Sequence, residues 1–434
     1  MKKVIALLLT VAMCFSLVAC GSNGDKQGDN KQDNQQQGDK EPDKKDGVLT
    51  IEETDKTEPA KMEAVAKEDF KIGLICLHDE NSTYDNNFIQ ALKEVQAELG
   101  LTDEQVMIKV NIPESEACYN AAAELADAGC NIVFADSFGH ESHMKQAATE
   151  FEDVQFCHAT GTTAQTAMIP NFHNAFASIY EGRYLAGVAA GLKLNEMIAE
   201  GKITEDKAQM GYVGAFNYAE VVSGLTSFFL GARSVCPSVT MKVTYTNSWF
   251  DIAKEKEAAL NLINSGCVLI SQHADSEGAP KACEEKGVPN VAYNINTISM
   301  GPNTALISSK INWAPYFKMI INTALEGGSI PSDYCGSLKD GYVELTELNT
   351  AVAAEGTQAK LDEVKAQLES GAIHVYDIKN FTVKGKTLDT YLADVVDDGT
   401  FTPDSEAIVD GVFAESSKRS APYFNIMYID GISE

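Results

Sequence analysis

A chain of 434 residues is longer than one hydrophobic core usually spans, so two or more domains are expected. Its 63 acidic against 34 basic residues leave a formal charge of −29, which argues against a nucleic-acid partner, because no basic surplus remains to neutralise phosphates. A hydrophobic content of 44% is ordinary for a globular protein, and the charge suits a domain held near an anionic membrane without adhering to it.

The chain opens with Lys2 and Lys3 and a short apolar run, Val4 to Val18. That run is too short for a spanning helix of about 20 residues and reads as a signal peptide over residues 1–19. Leu17-Val18-Ala19-Cys20-Gly21 resembles a bacterial lipobox. Small residues open the bond before Cys20 to a peptidase, and the Cys20 thiol would accept a palmitate-bearing diacylglycerol, anchoring the chain to the extracytoplasmic face of the cell membrane. Residues 20–67 are rich in Gly, Asn, Gln, Asp, Glu, Thr and Lys and have no aromatic residue, so they read as a disordered tether. About 45 flexible residues reach roughly 35–40 Å.

Ordered elements are expected from Phe70. Lys71–Leu77 is a short apolar run typical of a buried parallel strand, and a helical pattern from Phe88 stops at Gly100. Strands follow at Val106–Val110, Asn131–Ala135 and Val154–His158, separated by helices at Ser115–Ala128 and around Met144–Phe151. Strands alternating with helices mean βαβ units, and the fold class is α/β with doubly wound sheets. Helix Tyr180–Leu194 has Gly182, Gly187 and Gly191, which predict close packing on a neighbour.

The pattern then recurs about 135–140 residues on, through strands Met210–Gly214, Met241–Tyr245, Val268–Ser271 and Asn290–Tyr293. Two similar lobes with a cleft between them are the expected frame. A strand at Ala305–Lys310, a helix from Trp313, a strand at Gly341–Leu345, a helix at Gln358–Ser370 and a strand at Ala372–Tyr376 follow. Residues after Val383 read as a peripheral extension.

Loops that leave the carboxyl ends of neighbouring strands are where α/β sheets place ligands. One carries Trp249, Phe250 and Asp251, and the next carries His273, Asp275 and Ser276. An aromatic platform beside hydrogen-bonding groups suits a flat, polar molecule. Trp249 serves equally as platform or core packing, and Asp251 as ligand contact or cap of the following helix. The cysteines form no CxxC or zinc spacing and read as small buried hydrophobes, and His140, His143, His158 and His173 lack a ligand spacing, so neither metal nor cofactor is expected. With no P-loop, GxSxG or GxGxxG in the right context, the chain reads as a binder rather than an enzyme.

Several stretches together resemble one family: the lipobox, Tyr84-Asp85-Asn86-Asn87-Phe88, Gly182–Gly187, Asn247–Asp251, His273–Ser276, Asn312–Tyr316 and Leu338–Val343. The family is that of the basic membrane protein (BMP) substrate-binding lipoproteins, which feed purine-nucleoside ABC importers. The resemblance implies a periplasmic-binding type I fold, with residues 68–175 and 305–340 in one lobe and 176–304 and 341–434 in the other. It implies a purine ligand and an ABC permease as partners. Tyr84 matches a stacking aromatic, Asp85 and Asn86 would bond the base edge, and Ser137 and Phe138 fall where the family has Gly-Phe. Trp249 or Phe250 would stack from the second lobe, with His273 and Asp275 beside them. Asn294 and Asn296 stand where nucleoside binders carry an Asp-x-Asp, so nucleoside and free nucleobase are both carried forward. A ligand-sensing lipoprotein without a transporter, or a binder of another polar solute such as a sugar, is the alternative.

Overall fold

The structure, a computed structural model, describes residues 48–397 and 399–434. The signal peptide at 1–19, Cys20 and the tether up to residue 47 lie outside the described residues. Among those described, no helix is long and apolar enough to cross a membrane.

The first sheet is built from β1 (Ile72–Ile75), β2 (Val106–Lys109), β3 (Ile132–Ala135), β4 (Gln155–Ala159) and β5 (Phe172–Ala177). Helices α1 (Thr83–Leu99), α2 (Glu116–Asp127) and α3 (Glu141–Glu150) connect the first four of these strands. Helix α4 (Ile179–Ala199) leads out of the first sheet. The second sheet repeats the plan with β6 (Gln209–Gly214), α5 (Ala219–Val235), β7 (Thr240–Tyr245), α6 (Ile252–Asn264), β8 (Leu269–His273), α7 (Gly278–Lys286), β9 (Asn290–Tyr293) and β10 (Ala305–Ile311). Then come α8 (Ala314–Glu326), β11 (Asp333–Gly336), β12 (Val343–Leu345) and α9 (Thr357–Glu369). The strand orders are β11-β5-β4-β3-β1-β2 and β12-β10-β9-β8-β6-β7 followed by Ile432–Ser433. All pairs are parallel except β10–β12 in the second sheet. β1 and β3 are buried at every position, as parallel strands covered on both faces must be.

The chain crosses between sheets three times: after β5, between β10 and α8, and between β11 and β12. The predicted close packing of α4 is present. A Cβ at Gly187 would lie 2.0 Å from the Phe228 carbonyl oxygen, and one at Gly231 would lie 2.0 Å from that of Tyr184. Only glycine allows the α4 and α5 backbones to approach this closely.

Four expectations need correction. The strand at Ala305–Ile311, expected with the first lobe, pairs with β9 in the second sheet, so that crossover falls near residue 312. Residues 48–67 are not a free tether. Ile51 and Met62 are buried, the Thr57 amide donates to the Gln165 carbonyl at 2.8 Å, and Val65 donates to Ala324 at 2.9 Å. A few apolar anchors suffice there because the segment lies on a surface that is already folded. The segment 372–376 forms no strand; it is held instead by buried Tyr376, whose hydroxyl donates to the Ser223 carbonyl at 2.7 Å. The residues after Val383 are integral. Tyr423, Phe424 and Ile429 are buried, Phe424 stacks on Tyr376 at 4.5 Å, and Ile432–Ser433 extends the second sheet along β7.

Candidate functional site

The carboxyl ends of the two sheets face one another across a cavity. The space between atoms there is about 360 Å³, including the part open to solvent. Its lining comes from strand ends, the loops that follow them and the first turns of the next helices. Leu77 and His78 follow β1, Ser137 and Phe138 follow β3, and Thr160 follows β4. Trp249 follows β7, while His273 ends β8 just before Asp275. Tyr84, Asp85 and Glu220 sit in the first turns of the helices that leave β1 and β6.

Seven of the residues singled out from sequence therefore meet at one cavity: Tyr84, Asp85, Ser137, Phe138, Trp249, His273 and Asp275. Four do not line it. Asn86 is one step of about 100° around α1 from Asp85, and its Oδ1 accepts from Gln90 Nε2 along the same helix at 3.2 Å. Phe250 packs beside the cavity, its ring 5.2 Å from that of His78. Asn294 is buried just after β9 with φ 71°, its backbone N–H donating to the Ser309 carbonyl at 2.9 Å. Asn296 is exposed and accepts from the Ile298 amide at 2.9 Å. Asp251 caps α6, accepting from the Lys254 amide at 3.0 Å.

Leu77, His78, Thr160 and Glu220 line the cavity and were missed. His78 and Glu220 were within reach of the strand-end rule, since each lies on the stretch that directly follows a first strand of a lobe. Thr160, at φ 66°, and Leu77 carry no signal of their own in the sequence.

The two lobes meet around the cavity. The Thr83 amide, first in α1, donates to the Asp275 carbonyl at 2.7 Å. Phe138 reaches across to Tyr218, ring centroids 5.7 Å apart. On the second lobe Tyr218 stacks on Phe216 at 5.0 Å, and Trp249 meets the Phe216 ring edge-on at 5.0 Å. Trp249 in this aromatic wall lines the cavity and is packed against the hydrophobic core behind it. Tyr84 is fixed by its own lobe, its hydroxyl donating to the Asp136 carbonyl at 2.8 Å.

The polar groups are mostly acceptors. Asp85 takes the His78 amide at 2.7 Å and the Ser82 hydroxyl at 2.5 Å. Burial alone would push its carboxyl up, but the hydrogen bonds from His78 and Ser82 outweigh that and hold it below the usual carboxylate range. Burial pushes Asp275 well above that range, and the nearby Glu255 and Asp85 charges add to the effect. Burial, with the Arg183 guanidinium close by, brings His273 down to about 4, so its ring is neutral at pH 7. Its Nε2 lies 3.3 Å from Glu220 Oε1, which fits an Nε2–H donor. Among the described residues, no lysine or arginine lines the cavity. It therefore suits an uncharged, flat molecule that carries N–H or O–H donors for Asp85 and an acceptor for the protonated Asp275 carboxyl.

Paired α/β sheets joined by three crossovers, with an acceptor-rich cavity between their carboxyl ends, define a two-lobed solute-binding protein. The chain belongs to the Bmp family, described as ABC transporter substrate-binding protein PnrA-like, whose model matches residues 77–379. A purine-binding protein of Brucella abortus is 32% identical over 72% of this chain and 85% of its own length. A putative ABC transporter glucose-binding protein of Haloferax volcanii is 33% identical over 54% of this chain and 56% of its own. Among solved structures, an ABC transporter solute-binding protein of Aeropyrum pernix K1 shares the fold, with a TM-score of 0.58, 15% identity, and 70% of this chain and 92% of that one covered.

Proposed function

We propose that this chain captures a purine, as free base or nucleoside, between its lobes and delivers it to the permease of an ABC importer. It does so from the extracytoplasmic face of the membrane, tethered by lipid on Cys20, and carries out no reaction itself. The observation that carries the reading is the joint position of Trp249 and the Asp85 and Asp275 carboxyl groups around one cavity. A purine offers a flat face for the indole, an edge N–H for the Asp85 carboxylate and a ring-nitrogen acceptor for the protonated Asp275 carboxyl. The Brucella relative's name points the same way.

A sugar is the second reading, favoured by the name of the Haloferax relative and by the fact that carboxylates beside an aromatic ring also suit hydroxyls on an apolar sugar face. A thermal-shift panel of adenine, hypoxanthine, adenosine, inosine and glucose separates the two. A ligand at a hundred times its Kd adds about 2.7 kcal/mol of stability. The purine reading expects that shift from at least one purine and none from glucose. The reverse pattern overturns it.

A further inference from the structure

Behind the cavity wall three side chains converge. Cys76 directly follows β1, Asp136 directly follows β3, and Asp85 lies in the first turn of α1. The Cys76 Sγ and one carboxylate oxygen from each aspartate lie within 4.8 Å of one another. All three residues are buried, with Asp85 1% and Asp136 0% exposed.

The two carboxyls are unequally served. Asp85 receives the His78 amide on Oδ1 and the Ser82 hydroxyl on Oδ2. Asp136 receives the Leu77 amide, at 3.1 Å on Oδ1, and otherwise the weak S–H donor of Cys76. Its Oδ2 is fully buried and has no hydrogen-bond partner among the described residues. Two ionised carboxylates this close, shielded from water, repel strongly, and a buried carboxylate oxygen without a donor is costly. One proton between them removes both penalties, as in other buried carboxyl pairs.

We propose that Asp85 and Asp136 form a one-proton carboxyl pair, with the proton on Asp136 Oδ2 and Asp85 ionised at the cavity edge. The assignment follows the donors: an amide and a hydroxyl stabilise charge on Asp85, an amide and only a weak thiol on Asp136. Asp136 does not line the cavity, so it is a positioning residue. By donating to Asp85 it keeps that carboxylate acceptor-only, ready for an N–H or O–H of the ligand. The electrostatics agree. Burial, then the neighbouring Asp85 charge, push Asp136 well above the usual carboxylate range. Burial, then Asp136, also raise the Cys76 thiol.

The other titratable groups facing the pair are His78, whose Nδ1 is 3.5 Å from Asp85 Oδ2, and Tyr84, His140 and Cys118 in the same lobe. From the second lobe comes Asp275. His78 and His140, when protonated, would favour a second negative charge, but His78 is partly exposed and burial brings His140 down to about 4. Asp275 opposes one.

The linkage has a definite sign. Folded Asp136 keeps a proton that the unfolded chain releases near its ordinary value of 3.8. Stability contributed by this proton is present in full below that value and is lost as pH rises toward the folded value, by up to about tenfold in the unfolding constant per pH unit.

The test is urea unfolding of the purified protein from pH 5 to pH 8, for wild type, Asp136→Asn and Asp136→Leu. Asparagine keeps the shape and can donate its amide N–H to Asp85, but it cannot titrate. The expected result is that the stability of Asp136→Asn relative to wild type rises with pH, by at least about tenfold in the unfolding constant across the range. A difference flat within about twofold overturns the proposal. So does a stoichiometric divalent metal in the purified protein that is lost in Asp136→Asn, because a cation would then stand in place of the proton. A calorimetric titration with adenine adds a second readout that rests on the purine reading. Asp136→Asn should hold its Kd within about threefold of wild type, while Asp136→Leu, with no donor, should weaken it at least about tenfold. If neither adenine nor any other purine of the thermal-shift panel binds wild type, the purine reading fails, yet the unfolding profiles still decide the pair.

Discussion

Replacing Trp249 by alanine removes the largest flat surface of the cavity. Stacking of a base on an aromatic side chain is worth about 1–3 kcal/mol, so Kd should rise between roughly fivefold and somewhat over a hundredfold. The indole also packs on Phe216 at 5.0 Å and on Tyr218 at 6.0 Å, contacts worth about 0.5–1.5 kcal/mol each, so the free protein should lose some stability as well. Calorimetric titration with adenine separates the two effects, because the folded fraction is checked by its own melting curve. Trp249→Phe keeps a flat face and should recover most of the affinity. If Trp249→Ala binds within twofold of wild type while remaining folded, the indole is core packing only and the platform assignment is wrong.

Thr83→Pro tests closure. Proline is tolerated at the first helical position, and Ser82 is already extended at ψ 128°, so α1 should persist while the bond to the Asp275 carbonyl is lost. Affinity should fall about two- to tenfold with unchanged helical circular dichroism. Gly187→Ala would force the α4 and α5 backbones apart, and chemical denaturation should show a loss of about 1–3 kcal/mol or more. Burial raises the Glu255 carboxyl to about 7. Its oxygens take the amides of Asp251 and Ser276, beside two cavity loops. A raised carboxyl stabilises fully below its unfolded value of 4.5 and loses that contribution as pH rises through about 7. Glu255→Gln should therefore fare better, relative to wild type, at pH 8 than at pH 5 in urea titrations. A difference independent of pH would show that Glu255 is ionised in the folded protein.

Much of the frame was legible because parallel strands buried on both faces read as apolar runs, such as Ile72–Ile75, and their helices end at glycines such as Gly100 and Gly129. The internal repeat located the second lobe for the same reason. What failed lacked a period. Ile51 and Met62 are single anchors in a polar run, and the Tyr423–Ile429 segment packs irregularly through aromatics. The edge strand Asp333–Gly336 is only partly buried and carries little pattern. At the site, the strand-end rule found Trp249, His273 and Asp275. It did not distinguish Asp85 from Asn86, since only the helical phase turns one toward the cavity. Asn294 and Asn296 followed from a family alignment, and local backbone geometry placed both elsewhere. Asp136, adjacent to Ser137 in sequence, shows its role only through its distance to Asp85.

The central claim is that a purine lies against Trp249. The chain has two tryptophans, Trp249 at the cavity and Trp313, which is 1% exposed and stacked on Phe88 at 4.4 Å. Tryptophan emission during adenine titration reads the contact directly. Saturable quenching is expected in wild type and in Trp313→Phe, and none in Trp249→Phe. Quenching that survives in Trp249→Phe, or none in wild type with any purine, would contradict it.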